Sequence, residues 1–159
     1  VLAGEAVAGR NVVILGGGNV GLETASFLLN RDHRVTVIEM GRQIGEDLGP
    51  ARRYLLMRHL RRMRVRRMVN CIVRRVQDDV VSYIRIQREG DRIYQELTGV
   101  DTFVNALGVR PLDILAQELE SSDRAAGIIV RLVGDALNPG KIINATAEGA
   151  RAALEIDDL

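Results

Sequence analysis

The sequence predicts an α/β chain: a parallel sheet with helices on one face, an antiparallel β-meander inserted into it, and a β-α tail at the C-terminus. Three observations predict it. Residues 12–15 (VVIL) and 35–38 (VTVI) are short apolar runs separated by a glycine turn and a helical stretch, which makes a β-α-β unit of about thirty residues. From residue 72 to residue 97 the pattern changes to apolar/polar alternation broken by turn formers, as an antiparallel meander requires. Buried-strand patterns then return at residues 101–107 and 128–133, and a helix closes the chain.

Taken in order, residues 1–7 have room for one helical turn, stopped by Gly9. After the first strand comes Gly16-Gly17-Gly18-Asn19-Val20-Gly21, with the spacing G-x-G-x-x-G. The helix that follows is expected to turn Val20, Ala25, Leu28 and Leu29 towards the sheet and to end at Asn30-Arg31-Asp32-His33, where Asp32 takes the left-handed position. A loop rich in turn formers, residues 41–50, leads into a second helix over residues 51–64 with Leu56, Leu60 and Met63 on one face. A third strand is expected at residues 65–69. The meander then runs over residues 72–77, 80–87 and 92–97, with turns at Asp78-Asp79 and Glu89-Gly90-Asp91. Beyond the strand at 101–107 lie a short helix (112–120), a polar loop (121–127), the strand 128–133 closed by Gly134-Asp135, and a helix over 141–156 with Gly149 as a close-packing point. The domain boundary falls at residue 111: residues 1–111 form a Rossmann-like domain and 112–159 the tail.

The glycine spacing points to a dinucleotide. A pyrophosphate lies against backbone amides at a helix N-terminus, where the dipole favours negative charge. Gly16 permits the tight turn out of the strand, Gly18 lets the diphosphate approach the backbone, and Gly21 lets the helix press against the sheet. Glu39 closes the second strand eighteen residues beyond Gly21, where a carboxylate accepts hydrogen bonds from the adenosine ribose, with Met40 beside it. A 2′-phosphate there meets like charge, so NADH is expected over NADPH.

Composition removes other classes of function. No apolar run is long enough to span a membrane, and the N-terminal residues carry no basic segment of a secretion signal. The expectation is a cytoplasmic chain, and the absence of an initiator Met points to a piece of a longer one. A single cysteine, Cys71, excludes an internal disulfide, a Cys-x-x-Cys pair and a four-cysteine metal or iron–sulfur site within these residues. With a net charge of +1 nothing global indicates nucleic acid, yet ten arginines fall between Arg52 and Arg75. They read first as the solvated face of an amphipathic helix, and second as a patch for a polyanion or an acidic partner. His33 and His59 read as surface residues, so no catalytic side chain and no metal ligand is assigned.

The residues resemble a known family. VVILGGGNVGLETASFL, VTVIEMGRQIGEDLG followed by RRYLLMRHL, the ALGVRP turn and VGDALNPGKIINATAEGARAALEI are similar to the pyridine-nucleotide part of the old-yellow-enzyme-like NADH:flavin oxidoreductases, the group of 2,4-dienoyl-CoA reductase, 2-enoate reductase and trimethylamine dehydrogenase. The resemblance implies that Gly16, Gly17, Gly18, Asn19, Val20 and Gly21 cradle the NADH pyrophosphate and that Glu39 holds its ribose. It also implies that Glu23 is the acid near the nicotinamide, and that Ala106, Leu107 and Gly108 lie close to the dinucleotide where the chain leaves the domain. Gly134 and Asp135 resemble the pair that closes an FAD domain, against the ribityl or phosphate end of the flavin. Three parts of such a protein are missing here: the flavin's own glycine turn, the cysteine cluster for iron–sulfur, and the barrel for FMN and substrate. The chain then resembles a fragment that binds a nucleotide and works with the remainder of a flavoprotein.

In the parent protein implied by this resemblance, the domain presents nicotinamide for hydride transfer to flavin. A rival reading is a structural or regulatory site for an ADP-containing ligand without hydride transfer, and a third is an interaction piece using the arginine-rich helix. The apolar strand and helix of the tail, lacking their usual sheet, are expected to pair with the domain's own edge or with a second copy, giving a homodimer.

Overall fold

The structure is a computed structural model, and it describes residue 4 and residues 6–87, 90–122 and 127–156. The chain divides into two compact units, residues 1–108 and 109–159.

The first unit is built on a parallel sheet. Strands β1 (Asn11–Leu15), β2 (Arg34–Ile38), β3 (Arg66–Met68) and β7 (Thr102–Asn105) lie in the order β3-β2-β1-β7. Helix α1 (Asn19–Leu29) carries the chain from β1 to β2 and α2 (Pro50–Arg62) from β2 to β3. Strands β4 (Cys71–Gln77), β5 (Val80–Ile86) and β6 (Arg92–Leu97) form a separate antiparallel sheet in the order β4-β5-β6.

A parallel sheet needs cover on both faces, and the strand sequences divide their side chains accordingly. Val12, Ile14, Val35 and Val37 join Leu22, Ala25, Leu28 and Leu29 of α1 and Met57 and Leu60 of α2 in one buried cluster. Val13, Leu15 and Ile38, offset by one residue, point the other way into a cluster with Cys71, Val81 and Tyr83 of the meander. The two helices therefore cover one face and the inserted meander covers the other.

Local differences from the sequence reading have local causes. Val20 is 59% exposed, and the inward stripe of α1 is Leu22, Ala25, Leu28 and Leu29. Position 20 lies outside the arc of about 100° that such a stripe covers. Asp32 does take the left-handed conformation, with φ of 63°. His33 is not plain surface: it is half-buried, and its Nδ1 donates to the Gly9 carbonyl at 2.7 Å, tying the N-terminal strap to the α1–β2 turn. His59 is also half-buried, with its Nε2 enclosed and unpartnered among the described residues. Strand β7 is shorter than expected and only partly buried, as suits an edge strand. The helical turn expected at residues 1–7 and the Glu89 turn fall partly outside the described residues, and Gly4, Ala6 and Val7 are not helical.

The second unit holds α3 (Ile114–Glu120), a 3-10 turn (Gly134–Ala136) and α4 (Ile142–Ile156). Residues 128–133, expected as a strand, have no regular structure. An isolated apolar run has no ladder to join within its own unit, and strand geometry is stabilised only by pairing. Gly149 is not a packing point, since a Cβ there would meet nothing within 4 Å. What fixes the turn is polar: the Gly134 amide donates to Glu148 Oε2 at 2.7 Å, and Asp135 Oδ1 accepts from the Gly140 amide at 3.0 Å.

Candidate functional site: a glycine turn at the N-terminus of α1

Where β1 ends, the backbone reverses at Gly16 with φ of +106°, and the Gly16 amide donates to the Ile38 carbonyl at 2.8 Å. A Cβ on Gly16 would stand 2.3 Å from the Ala106 carbonyl oxygen, so the turn and the end of β7 are in direct backbone contact. A Cβ on Gly21 would stand 2.1 Å from the Gly16 carbonyl oxygen. That closeness sets the first turn of α1 directly against the strand end, and no other residue fits there.

Gly18 differs. It has φ of −75° and ψ of −174° at the N-cap of α1, a conformation open to any residue. Its backbone faces a carboxylate: Asp47 Oδ2 would lie 3.2 Å from a Cβ on Gly18 and accepts from the Asn19 amide at 2.8 Å. Glu39 does the same one step earlier, its Oε2 accepting from the Gly17 amide and its Oε1 from the Gly41 amide, each at 2.7 Å. A helix start leaves its first amides without intrahelical acceptors. Those of Gly18 and Val20 have no acceptor among the described residues. The terminus thus attracts two protein carboxylates and keeps further donors for an anion.

The structure brings Gly16–Gly21, Glu39 and Ala106 together at the C-terminal ends of β1, β2 and β7, where open parallel sheets bind ligands. Met40 and Leu107 are exposed beside them. The Leu107 amide donates to Asn105 Oδ1 at 3.1 Å, and Gly108, with φ of +97°, has open space around it. Glu23 lies one helical turn beyond Asn19, pairs with the Arg52 guanidinium and accepts weakly from Asn19 Nδ2 at 3.4 Å. Asn19 Oδ1 is enclosed with no donor among the described residues. Gly134 and Asp135 belong to the other unit, where they close the turn before α4.

Sequence reasoning missed Asp47 and Arg52. Their partners lie 28 and 29 residues away, and no spacing rule connects a loop acid to a helix amide. Among the described residues no group of three potential ligands could hold a metal, and no helix is long and apolar enough to cross a membrane. Cys71 lies in the meander cluster, where burial pushes its thiol up from 9.0 while the Arg85 guanidinium pulls the other way.

Strand, glycine turn, helix, strand and closing acid define an α/β domain of the Rossmann-like class. The chain belongs to the pyridine nucleotide-disulphide oxidoreductase family, whose model matches residues 3–135. Among curated relatives it is similar to an NADH oxidase of Thermoanaerobacter brockii, 32% identical over 158 residues that cover 98% of this chain and 23% of the relative. A metal reductase of Desulforamulus reducens is 29% identical over 188 residues, covering 98% and 26%. The chain therefore spans about a quarter of the length of these relatives. Among solved structures, a 2-naphthoyl-CoA reductase complex aligns with a TM-score of 0.69 at 25% identity, over 93% of this chain and 21% of the other. Histamine dehydrogenase from Rhizobium sp. 4-9 aligns with a TM-score of 0.76 over 96% and 23%, at 21% identity, a likeness of fold.

Proposed function

We propose that this chain is the pyridine-nucleotide-binding domain of a flavin-dependent oxidoreductase and that it holds NADH across the glycine turn. The observation that carries the reading is the N-terminus of α1, with Gly18 and Val20 amides unclaimed and a carboxylate already resting on the Asn19 amide. In this reading the pyrophosphate takes the amides of residues 18–20, Asp47 gives way to it, and Glu39 turns its remaining lone pairs to the adenosine ribose. Asn19 Oδ1 accepts from the coenzyme. Glu23, neutralised by Arg52, stands on the nicotinamide side, and Ala106-Leu107-Gly108 forms the opposite wall. When bound, the nicotinamide supplies a hydride for a flavin carried by the remainder of the protein. The chain's own residues bind, orient and screen, and none acts as acid or base.

The share of each relative covered supports a parent protein of several parts. In this reading residues 1–111 are its nucleotide domain, and 112–159 are a segment that completes a flavin domain through Gly134 and Asp135. Ile142, Ile143, Leu154 and Ile156 are exposed on α4, and in this reading the flavin part, or a second copy, covers them. A cytoplasmic location belongs to the same proposal. Separate titrations of NADH, NADPH, FAD and ADP into the chain test it. Saturable NADH binding is expected, and binding of ADP as tight as NADH with no contribution from nicotinamide would favour a structural nucleotide site instead.

A further inference from the structure

The two outer strands of the antiparallel sheet are not alike. On β4 the pairing register shifts between Val73 and Arg75, an irregularity of the kind that blunts a sheet edge. Strand β6 pairs with β5 without a shift and contains neither glycine nor proline. The hairpin joining β5 to β6 decides where the β6 backbone points. The Gln87 amide donates to the Asp91 carbonyl at 2.9 Å, while the Ile86 amide turns the other way, to the Asn70 carbonyl at 2.8 Å. Ladder bonds alternate along an antiparallel pair. With Ile86 opposite Arg92, Ile84 opposite Tyr94 and Ser82 opposite Glu96, the N–H and C=O groups of Arg92, Tyr94 and Glu96 therefore face outward. Among the described residues nothing pairs with them.

One face of this sheet, with Cys71, Val81, Tyr83 and Leu97, packs on the parallel sheet. On the other face Ile72, Ile84 and Tyr94 lie in a row across the three strands, and Tyr94 ends the row 78% exposed. Arg92 and Glu96 flank Tyr94 on that face, two positions to either side, and both are exposed. Among the described residues the ion pairs are Arg52–Glu23 and Arg131–Glu155, so neither charge is neutralised within the chain. Glu96 accepts from the neutral Ser82 hydroxyl at 3.1 Å.

We propose that β6 is a docking edge for β6 of a second copy of this chain, the two strands pairing antiparallel about a two-fold axis at Tyr94. Such a contact is self-complementary, as a two-fold interface must be. It sets Arg92 opposite the second copy's Glu96, Tyr94 opposite Tyr94, and Glu96 opposite Arg92, and each of these pairs exchanges both backbone bonds. Outward groups occur at every second residue, so other registers are shifted by two or more. Those that centre on Arg92 or on Glu96 bring like charges together, and those that centre between them and Tyr94 form no ion pair. The apolar row then continues from one sheet into the next through the two tyrosines. One strand's width is a small interface, so association is expected to depend on concentration. This route differs from pairing through the tail, and it does not rest on the nucleotide reading.

Sedimentation velocity on the full chain over a concentration series tests it, with Arg92→Glu and Glu96→Arg measured singly, mixed, and combined in one chain. The parent is expected to show a monomer–dimer equilibrium. Each single variant sets like charges opposite one another twice, and should weaken dimerisation about ten-fold or more. In a mixture of the two, every heterodimer regains two opposite-charge pairs, and the doubly substituted chain regains them with itself. Both should associate within about two-fold of the parent. Thermal melts establish that each variant is folded. Tyr94→Pro, which removes an outward amide and no bond to β5, replaces a charge variant that is not, with the same expected loss. A parent that stays monomeric, dimerisation that the single variants leave unchanged, or a mixture no more associated than its components would overturn the proposal.

Discussion

Two carboxylates, Asp47 and Glu39, occupy amides at the glycine turn. Asp47 holds its amide from an exposed loop, so it competes with any pyrophosphate for the same donor. Asp47→Asn keeps an acceptor and removes the charge, and is expected to bind NADH about five-fold more tightly, a gain of the size that charge at a helix terminus carries. Equal or weaker binding by fluorescence titration would mean that Asp47 supports the site. Glu39→Gln leaves one amide oxygen for two backbone donors, and should lower stability by about 1–3 kcal/mol in denaturant melts. Cys71 gives a pH prediction. Its raised value favours the neutral thiol in the folded chain, so its contribution is full below pH 9.0 and is lost as pH rises through the folded value. Cys71→Ala should therefore flatten the alkaline fall in stability, and the native thiol should react slowly with an aromatic disulfide until the chain unfolds. The backbone roles of Gly16 and Gly21 were legible in the sequence because each answers a local need, a left-handed turn or a close approach. Asp47 and Arg52 were not, since each depends on how residues far apart in the chain meet at α1.

At the scale of elements, α1 is the piece that both packs the sheet and presents the turn. Leu22 is fully buried beneath it, and Leu22→Ala should cost about 2–5 kcal/mol by the usual cavity argument. Gly21→Ala, forcing a methyl onto the Gly16 carbonyl, should be as damaging although it adds a single carbon. Circular dichroism melts compare the two, and a Gly21→Ala chain as stable as the parent would refute the close approach. Strand and helix positions in this unit were readable because parallel strands are apolar on both faces and amphipathic helices keep a 3.6-residue period. The meander was readable from its alternation. The apolar run at residues 128–133 has the composition of a strand, but pairing is a non-local property and its own unit supplies no partner.

At the scale of the molecule, the 1–108 unit carries a complete three-layer arrangement of helices, parallel sheet and meander, while α4 of the other unit buries none of its side chains. That contrast matches a family whose matched relatives are about four times longer than this chain. The central claim concerns the glycine turn, and Gly18→Val tests it most directly. The substitution fits the local backbone, and the nearest atoms its Cβ meets belong to the movable end of Asp47, so the fold should survive while the approach to the amides is filled. Isothermal titration of NADH into both chains, each with an unchanged melting temperature, is expected to show saturable binding to the parent and none to the variant. No binding to the parent, or equal binding to Gly18→Val, would contradict the account.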